Sequence, residues 1–140
     1  MSARVIICLG SNIEPRAEYL DRAQDALCSL PGTRLIAVGG TDETDPVDVP
    51  PEFSGQMFMN RILVLETSLS PEDFSDRMHL IEDRLGRVRG VVRNMPRTID
   101  IDLIDYEGVT MDDPELTLPH PRAKERAFVM EPLRRLGIGF

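Results

Sequence analysis

The spacing of apolar runs constrains this chain most, because it admits two strand–helix–strand units followed by one more helical stretch. Arg4 to Leu9 is a β-rich run that ends at Gly10-Ser11-Asn12. Pro15 opens a helix near its first turn, where a missing N–H costs nothing. Leu20, Ala23 and Leu27 then recur at helical spacing, and Pro31-Gly32 ends the element. Thr33 to Val38 reads as a second, short strand. Thr41 to Gly55 reads as a loop, with five acids, Pro46, Pro50, Pro51 and Gly55. Gln56 to Thr67 is a long strand rich in Met, Ile, Leu and Val. Ser70-Pro71-Glu72-Asp73 is a helix start, with Ser as N-cap, Pro in the first helical position and acids in the first turn. Phe74, Met78, Ile81 and Leu85 form one apolar stripe, and Gly86 is a natural stop.

Ile99, Ile101 and Leu103 alternate with Asp100 and Asp102, the signature of a half-buried strand. A polar turn leads to Leu116-Thr117-Leu118-Pro119-His120-Pro121, and a final helical stretch begins near Arg122, interrupted by Pro132. The order β-α-β-β-α-β-α points to an α+β (α/β) fold of ferredoxin-like type, an antiparallel β-sheet flanked by α-helices. With 140 residues the chain fits a single domain, 1–140.

Composition excludes several function classes. The apolar fraction of 41% is ample for a packed core. No apolar run approaches the roughly 18 residues of a membrane span, so no membrane association is expected. The first apolar run is too short for a secretory signal. A formal net charge of -8 argues against a sequence-neutral nucleic-acid binder, which needs clustered Lys and Arg. Cys8 and Cys28 sit in apolar contexts that suit a reducing cytoplasm; a disulfide is possible but unneeded.

The charge is unevenly spread. Residues 84 to 97 carry five arginines and no acid, whereas residues 98 to 115 carry seven acids and no base. At the junction, Asp100 and Asp102 are two positions apart in a strand and leave the same face. Two carboxylates so close repel unless a cation sits between them. Hard oxygen donors suit Mg²⁺ or Mn²⁺, and Mg²⁺ is usually held by one or two carboxylates plus substrate phosphates. Taken alone, such a pair also reads as a solvated polar face. Arg87, Arg89, Arg93 and Arg97 just before it shift the balance, because guanidinium matches phosphate geometry. Carboxylate-held metal beside arginines is the equipment of phosphoryl transfer, although pairing of the arginines with the acidic segment would look the same. No Walker-type lysine loop is present.

His120, between two prolines, is aimed by a rigid turn and could donate to phosphate, or be a turn residue of no consequence. Asn60 lies in an otherwise apolar strand, where an unpaired amide is costly; it reads a polar ligand edge or satisfies nearby backbone. Phe58 and Phe128 could stack on a flat ring or simply pack in the core. His79 reads as an ordinary helix-flank histidine. Cys8 lies mid-strand and makes a poor nucleophile.

These residues occur in segments that together resemble one family, the 6-hydroxymethyl-7,8-dihydropterin pyrophosphokinases of folate biosynthesis. The segments are Leu9-Gly10-Ser11-Asn12, Phe58-Met59-Asn60 with Leu65-Glu66-Thr67, Ile81-Glu82 with Leu85-Gly86-Arg87-Val88-Arg89, Pro96 to Asp102, and Leu116 to Pro121 with Arg126-Ala127-Phe128. They cover nearly the whole chain. The resemblance implies transfer of pyrophosphate from ATP to the pterin hydroxymethyl oxygen with release of AMP. It implies two Mg²⁺ ions at Asp100 and Asp102, and catalytic roles for Arg87, Arg97, Asp100 and Asp102. His79, Glu82, Arg89, Arg97, Leu103, Thr117, His120 and Arg126 would serve the nucleotide. Thr44, Asp45, Val47, Phe58, Asn60 and Phe128 would serve the pterin. The expected partners are these two substrates, with no nucleic acid and no membrane, in a cytoplasmic monomer or at most a weak dimer. The alternative is a non-catalytic pterin- or nucleotide-binding module on the same fold. The position where the family often carries Trp-Gly is Asn94-Met95 here.

Overall fold

The computed structural model describes residues 2–44, 57–86 and 98–140. Four strands form one antiparallel sheet: β1 (Ala3–Ser11), β2 (Thr33–Thr44), β3 (Phe58–Thr67) and β4 (Asp100–Tyr106), in the order β2-β3-β1-β4. That order, with α1 (Arg16–Cys28) between β1 and β2 and α2 (Pro71–Arg84) between β3 and β4, is the ferredoxin-like arrangement expected from the element order. A short hairpin, β5 (Met111–Asp112) and β6 (Thr117–Leu118), follows β4, and a 3-10 turn at Ala123–Glu125 leads into α3 (Ala127–Arg135).

Both sheet faces are covered, which is why β1 is a continuous apolar run rather than an alternating one. Val5, Ile7 and Leu9 point to one face, where they meet Leu20, Ala23 and Leu27 of α1 and Phe74, Met78 and Ile81 of α2. Ile99, Ile101 and Leu103 join that cluster, as the alternation in sequence requires. Ile6 and Cys8 point to the other face, against Ile62, Val64, Ile104 and the buried Ala123, Val129 and Leu133. The start of α2 follows its sequence signal. Ser70 Oγ accepts the Asp73 N–H at 3.2 Å, Pro71 occupies the first turn, and Gly86 beyond the last turn has φ +86°.

Two boundaries differ from expectation. The segment 41–44 is not loop but the continuation of β2, which pairs with β3 as far as Thr44 opposite Phe58, across two register shifts. Main-chain pairing holds this edge strand, whose side chains are mostly exposed, so no apolar alternation marks it in the sequence. The second difference is Pro132, which lies inside α3 rather than interrupting it. Its ring is seated on β2 at Gly39, where an added Cβ would lie 2.8 Å from Pro132 Cβ and 3.1 Å from Ile62 Cβ. Tertiary packing thus holds a short helix that carries a proline. Most of the segment read as a loop at 41–55, and the arginine loop at 87–97, lie outside the described residues. Both cysteines are free thiols.

Candidate active site

The site residues collect where β1 ends, on the sheet face shared with α3. Gly10 pairs with Asn60 of β3 on one side and Asp100 of β4 on the other, and Cys8 pairs with Ile62 and Asp102. Strand alternation then puts Phe58, Asn60, Gly10, Asp100 and Asp102 on one face, continuing the row of Ile62, Cys8 and Ile104. The apolar half of this face is under α3; the polar half is beyond it. Asp100 and Asp102 are both half-buried.

Gly10 leaves the floor of this region low. A Cβ there would stand 3.2 Å from Asn60 Oδ1 and 3.5 Å from the Phe58 ring. Asn60 is 6% exposed, and its Nδ2 donates to Thr44 Oγ1 at 2.7 Å. Both readings of Asn60 therefore start from a fixed carboxamide. Arg16 closes the same end from α1, donating to Met57 O at 3.0 Å and to Glu43 Oε1 at 3.2 Å.

The Pro119-His120-Pro121 turn is fastened to β4. A register shift between Ile6 and Ile7 leaves Ile104 without a partner on β1, and its carbonyl accepts the His120 N–H at 2.8 Å. His120 Nδ1 accepts the Arg122 N–H at 3.2 Å, which leaves Nε2 as the ring's donor when the ring is neutral. Burial, then the charges of Arg126 and Arg122, push this imidazole below its ordinary value, with Asp100 pulling the other way. His120 is thus a neutral donor at neutral pH, beside Arg126 and Asp100. The Arg126 guanidinium lies 5.7 Å from the centre of the Phe128 ring, a cation–π contact that orients both. Cys8 lies beneath the two aspartates. Burial first, then Asp102 and Asp100, raise its thiol well above the ordinary value. It stays protonated, so it is no nucleophile.

The remaining predicted nucleotide residues lie around the outer edge of β4. Leu103 is 5% exposed in the α1–α2 core, so it has only its backbone to offer. Thr117 is on β6, which packs beside β4. Glu82 is 1% exposed, and its Oε2 accepts the Ile101 N–H at 2.8 Å. Its Oε1 lies 3.2 Å from Nδ1 of His79, whose side chain is half exposed. His79 also lines a cavity of about 400 Å³ between α2 and the β5–β6 hairpin, with Glu72, Ser75, Asp76, Asp113 and Glu115 among its other walls.

Residues 6–137 match the family model described as 7,8-dihydro-6-hydroxymethylpterin-pyrophosphokinase. The chain belongs to this pyrophosphokinase family. It is similar to the 2-amino-4-hydroxy-6-hydroxymethyldihydropteridine pyrophosphokinase of Pseudomonas aeruginosa, with 39% identity over 97% of this chain and 82% of the relative. It is also similar to that of Bacillus subtilis, with 36% identity over 93% of this chain and 75% of the relative. A folic acid synthesis protein of Schizosaccharomyces pombe is 32% identical over 93% of this chain, which matches 17% of its length. The reaction of the pyrophosphokinase family is the transfer of pyrophosphate from ATP to hydroxymethyldihydropterin in folate biosynthesis.

The structure brings Asp100, Asp102, Asn60, Phe58, Thr44, His120, Arg126 and Phe128 to one end of one face. It does not bring Glu82, His79, Leu103 or Thr117 to that face; they sit at or behind the β4 edge. Asp45, Val47, Arg87, Arg89 and Arg97 lie outside the described residues. Sequence reasoning missed the part played by Gly10 and by the Ile101 amide. A glycine interrupting a β-branched run was the available signal for the first. For the second, the signal was an acid at position 82 beside an apolar helical stripe.

Proposed function

We propose that the pyrophosphoryl transfer takes place on the polar end of the α3 face, with the pterin over Gly10 between Phe58 and Phe128 and the triphosphate over Asp100 and Asp102. The single observation that carries this reading is the convergence on one face of the carboxylate pair, the fixed Asn60 amide and the His120–Arg126 donors. Asn60, held by Thr44, meets the polar edge of the pterin, and the two phenylalanine rings take its flat faces. The neutral His120 Nε2–H and the Arg126 guanidinium donate to phosphate oxygens. Asp45 and Val47 join the pterin side, and Arg87, Arg89 and Arg97 the phosphate side, by resemblance. The cavity lined by His79 has the size for the adenosine end, with its carboxylates as acceptors for amino and hydroxyl groups and Thr117 and the Leu103 backbone beside it.

The donor set fits Mg²⁺. Asp100 and Asp102 are hard oxygen donors on one face, and no three His, Cys, Asp or Glu side chains converge among the described residues. Two carboxylates without a cage suit a cation whose remaining positions go to phosphate and water. Asp100 and Asp102 would hold two such ions, which neutralise charge on the triphosphate. The pterin hydroxymethyl oxygen attacks the β-phosphorus, the bond from that phosphorus to the α-phosphate oxygen breaks, AMP leaves, and the hydroxyl proton is released. The chain's residues contribute alignment and charge rather than a nucleophile.

None of the described helices is long and apolar enough to cross a membrane. This and the two free thiols support a cytoplasmic protein, and nothing in the site as placed needs a second subunit, so we take it as a monomer or weak dimer. The test is AMP release from ATP with the dihydropterin, with and without Mg²⁺, in the native chain and an Asp102→Ala variant. Mg²⁺-dependent AMP formation that the variant lacks supports the reading. Pterin binding with no AMP formed by the native chain would leave the non-catalytic binding module instead.

A further inference from the structure

Among the described residues, Glu82 is the buried carboxylate whose hydrogen bond joins α2 to the strand carrying both aspartates. Among the described residues β4 is an edge strand of the sheet, so alternate N–H groups on its outer side have no neighbouring strand to bond. The Ile101 N–H is one of these, and Glu82 takes it at 2.8 Å. Ile101 is the residue between Asp100 and Asp102, and its own side chain is 3% exposed in the α1–α2 core. Its peptide cannot shift without carrying both aspartates along. At 1% exposure the carboxyl group is removed from water, so its oxygens need partners within the protein, and the Ile101 amide is one of them. The second oxygen faces His79, on the wall of the cavity beside α2. A continuous hydrogen-bonded path therefore runs from the cavity wall, through Glu82, to the peptide between the aspartates.

We infer that Glu82 is a positioning residue, which fixes the stance of Asp100 and Asp102 through the Ile101 amide rather than by touching substrate. The inference rests on the proposed role of the two aspartates. Glu82 is aligned from behind the strand: it sets the direction in which the carboxylates leave the sheet, and its α2 anchor keeps that direction when ligands arrive.

The experiment compares Glu82→Leu, which keeps volume and removes the acceptor, with Glu82→Gln, which keeps an acceptor oxygen for Ile101. Three readouts are taken: hydrogen exchange of the Ile101 amide, calorimetric binding of Mg²⁺ with a non-hydrolysable ATP analogue, and steady-state rates. Losing one charge-assisted bond to a buried amide is expected to change affinity about tenfold. Glu82→Leu should lose protection at Ile101, raise the half-saturating Mg²⁺ about tenfold and lower kcat by a similar factor, with pterin affinity within about twofold of native. Glu82→Gln should keep Ile101 protected and restore Mg²⁺ dependence to within about threefold. A folded Glu82→Leu with native Mg²⁺ binding and kcat would overturn the inference, leaving only a structural tie. If Glu82→Leu does not fold, Glu82→Gln decides: a protected Ile101 amide with Mg²⁺ binding lost would overturn it. An Asp102→Asn control separates the two readings. Unchanged Mg²⁺ dependence in that variant means the role of the aspartates has failed, whatever Glu82 does.

Discussion

The two faces of this sheet are built from the same four strands, yet we place the chemistry on only one of them. On the α1–α2 face, β1 and β4 stay apolar as far as Leu9 and Ile101, which are as buried as Ile7 and Leu103 further in, and the one charge in the β3 row, Arg61, is paired with Asp21 of α1. On the α3 face, the rows begin the same way with Ile6, Ile62 and Ile104, then change to Gly10, Asn60 and Asp100 where α3 no longer covers them. One residue's step along a strand thus separates a position buried in the α1–α2 core from a position on the half-buried polar end of the other face. The aspartates can be polar and close together because their neighbours on either side, Ile99, Ile101 and Leu103, secure the strand from behind.

That division can be broken at either face, and the sharpest break is chemical. Asp102→Ala should cost about 10²–10³-fold in kcat for AMP formation, the loss seen when a group that stabilises transition-state charge is removed. Its melting temperature should remain close to native, since the side chain is half-buried on the α3 face. Phe74→Ala is the converse. This side chain is fully buried between α2 and the sheet, and its loss should lower unfolding free energy by about 3–5 kcal/mol in denaturant titration. Pterin affinity of the folded fraction should stay native.

Much of this was readable in advance, and what was not has physical causes. The period-two alternation around Asp100 and Asp102 told which way the carboxylates leave, and the Ser70-Pro71 start placed α2 to the residue. The far part of β2 was not readable, because an exposed edge strand is held by main-chain bonds that any polar sequence can make. Pro132 misled for a related reason: local propensity counts against proline in a helix, but contact with Gly39 outweighs it. The place of Glu82 depends on the third dimension, since nothing in the order of residues says that α2 lies against the outer edge of β4.

Two glycines, both on the α3 face, sharpen the contrast between its covered half and its open half at smaller cost. Gly39→Ala would push a Cβ to 2.8 Å from the Pro132 ring, against a helix that cannot yield easily. It should destabilise by about 1–3 kcal/mol in thermal or denaturant unfolding, with KM unchanged. Gly10→Ala meets the Asn60 oxygen at 3.2 Å instead, a contact relieved by a few tenths of an ångström of movement at the cost of the carboxamide's position. Stability should fall little, whereas KM for the pterin should rise by about tenfold as the carboxamide is pushed off its mark. Equal effects of the two substitutions on stability and KM would erase the distinction.

The smallest effect is electrostatic. His120 should titrate below the ordinary imidazole value in NMR of the free protein, and Arg126→Ala should move it upward by removing a positive neighbour. Because the folded-state value is lowered, the neutral ring favours folding above the ordinary imidazole value, and that contribution fades as pH drops through the folded value. A histidine titrating at or above its ordinary value would contradict the buried, cation-flanked setting.

The most direct test of where the reaction occurs is a backbone amide NMR map of the protein with Mg²⁺, a non-hydrolysable ATP analogue and the dihydropterin. The expected result is a set of shifts at Gly10, Asn60, Asp100, Asp102, Arg126 and Phe128, with Leu20, Ala23 and Leu27 of α1 unmoved. Shifts concentrated on α1, with Gly10, Asn60 and Asp102 silent, would contradict the assignment of the site to the α3 face.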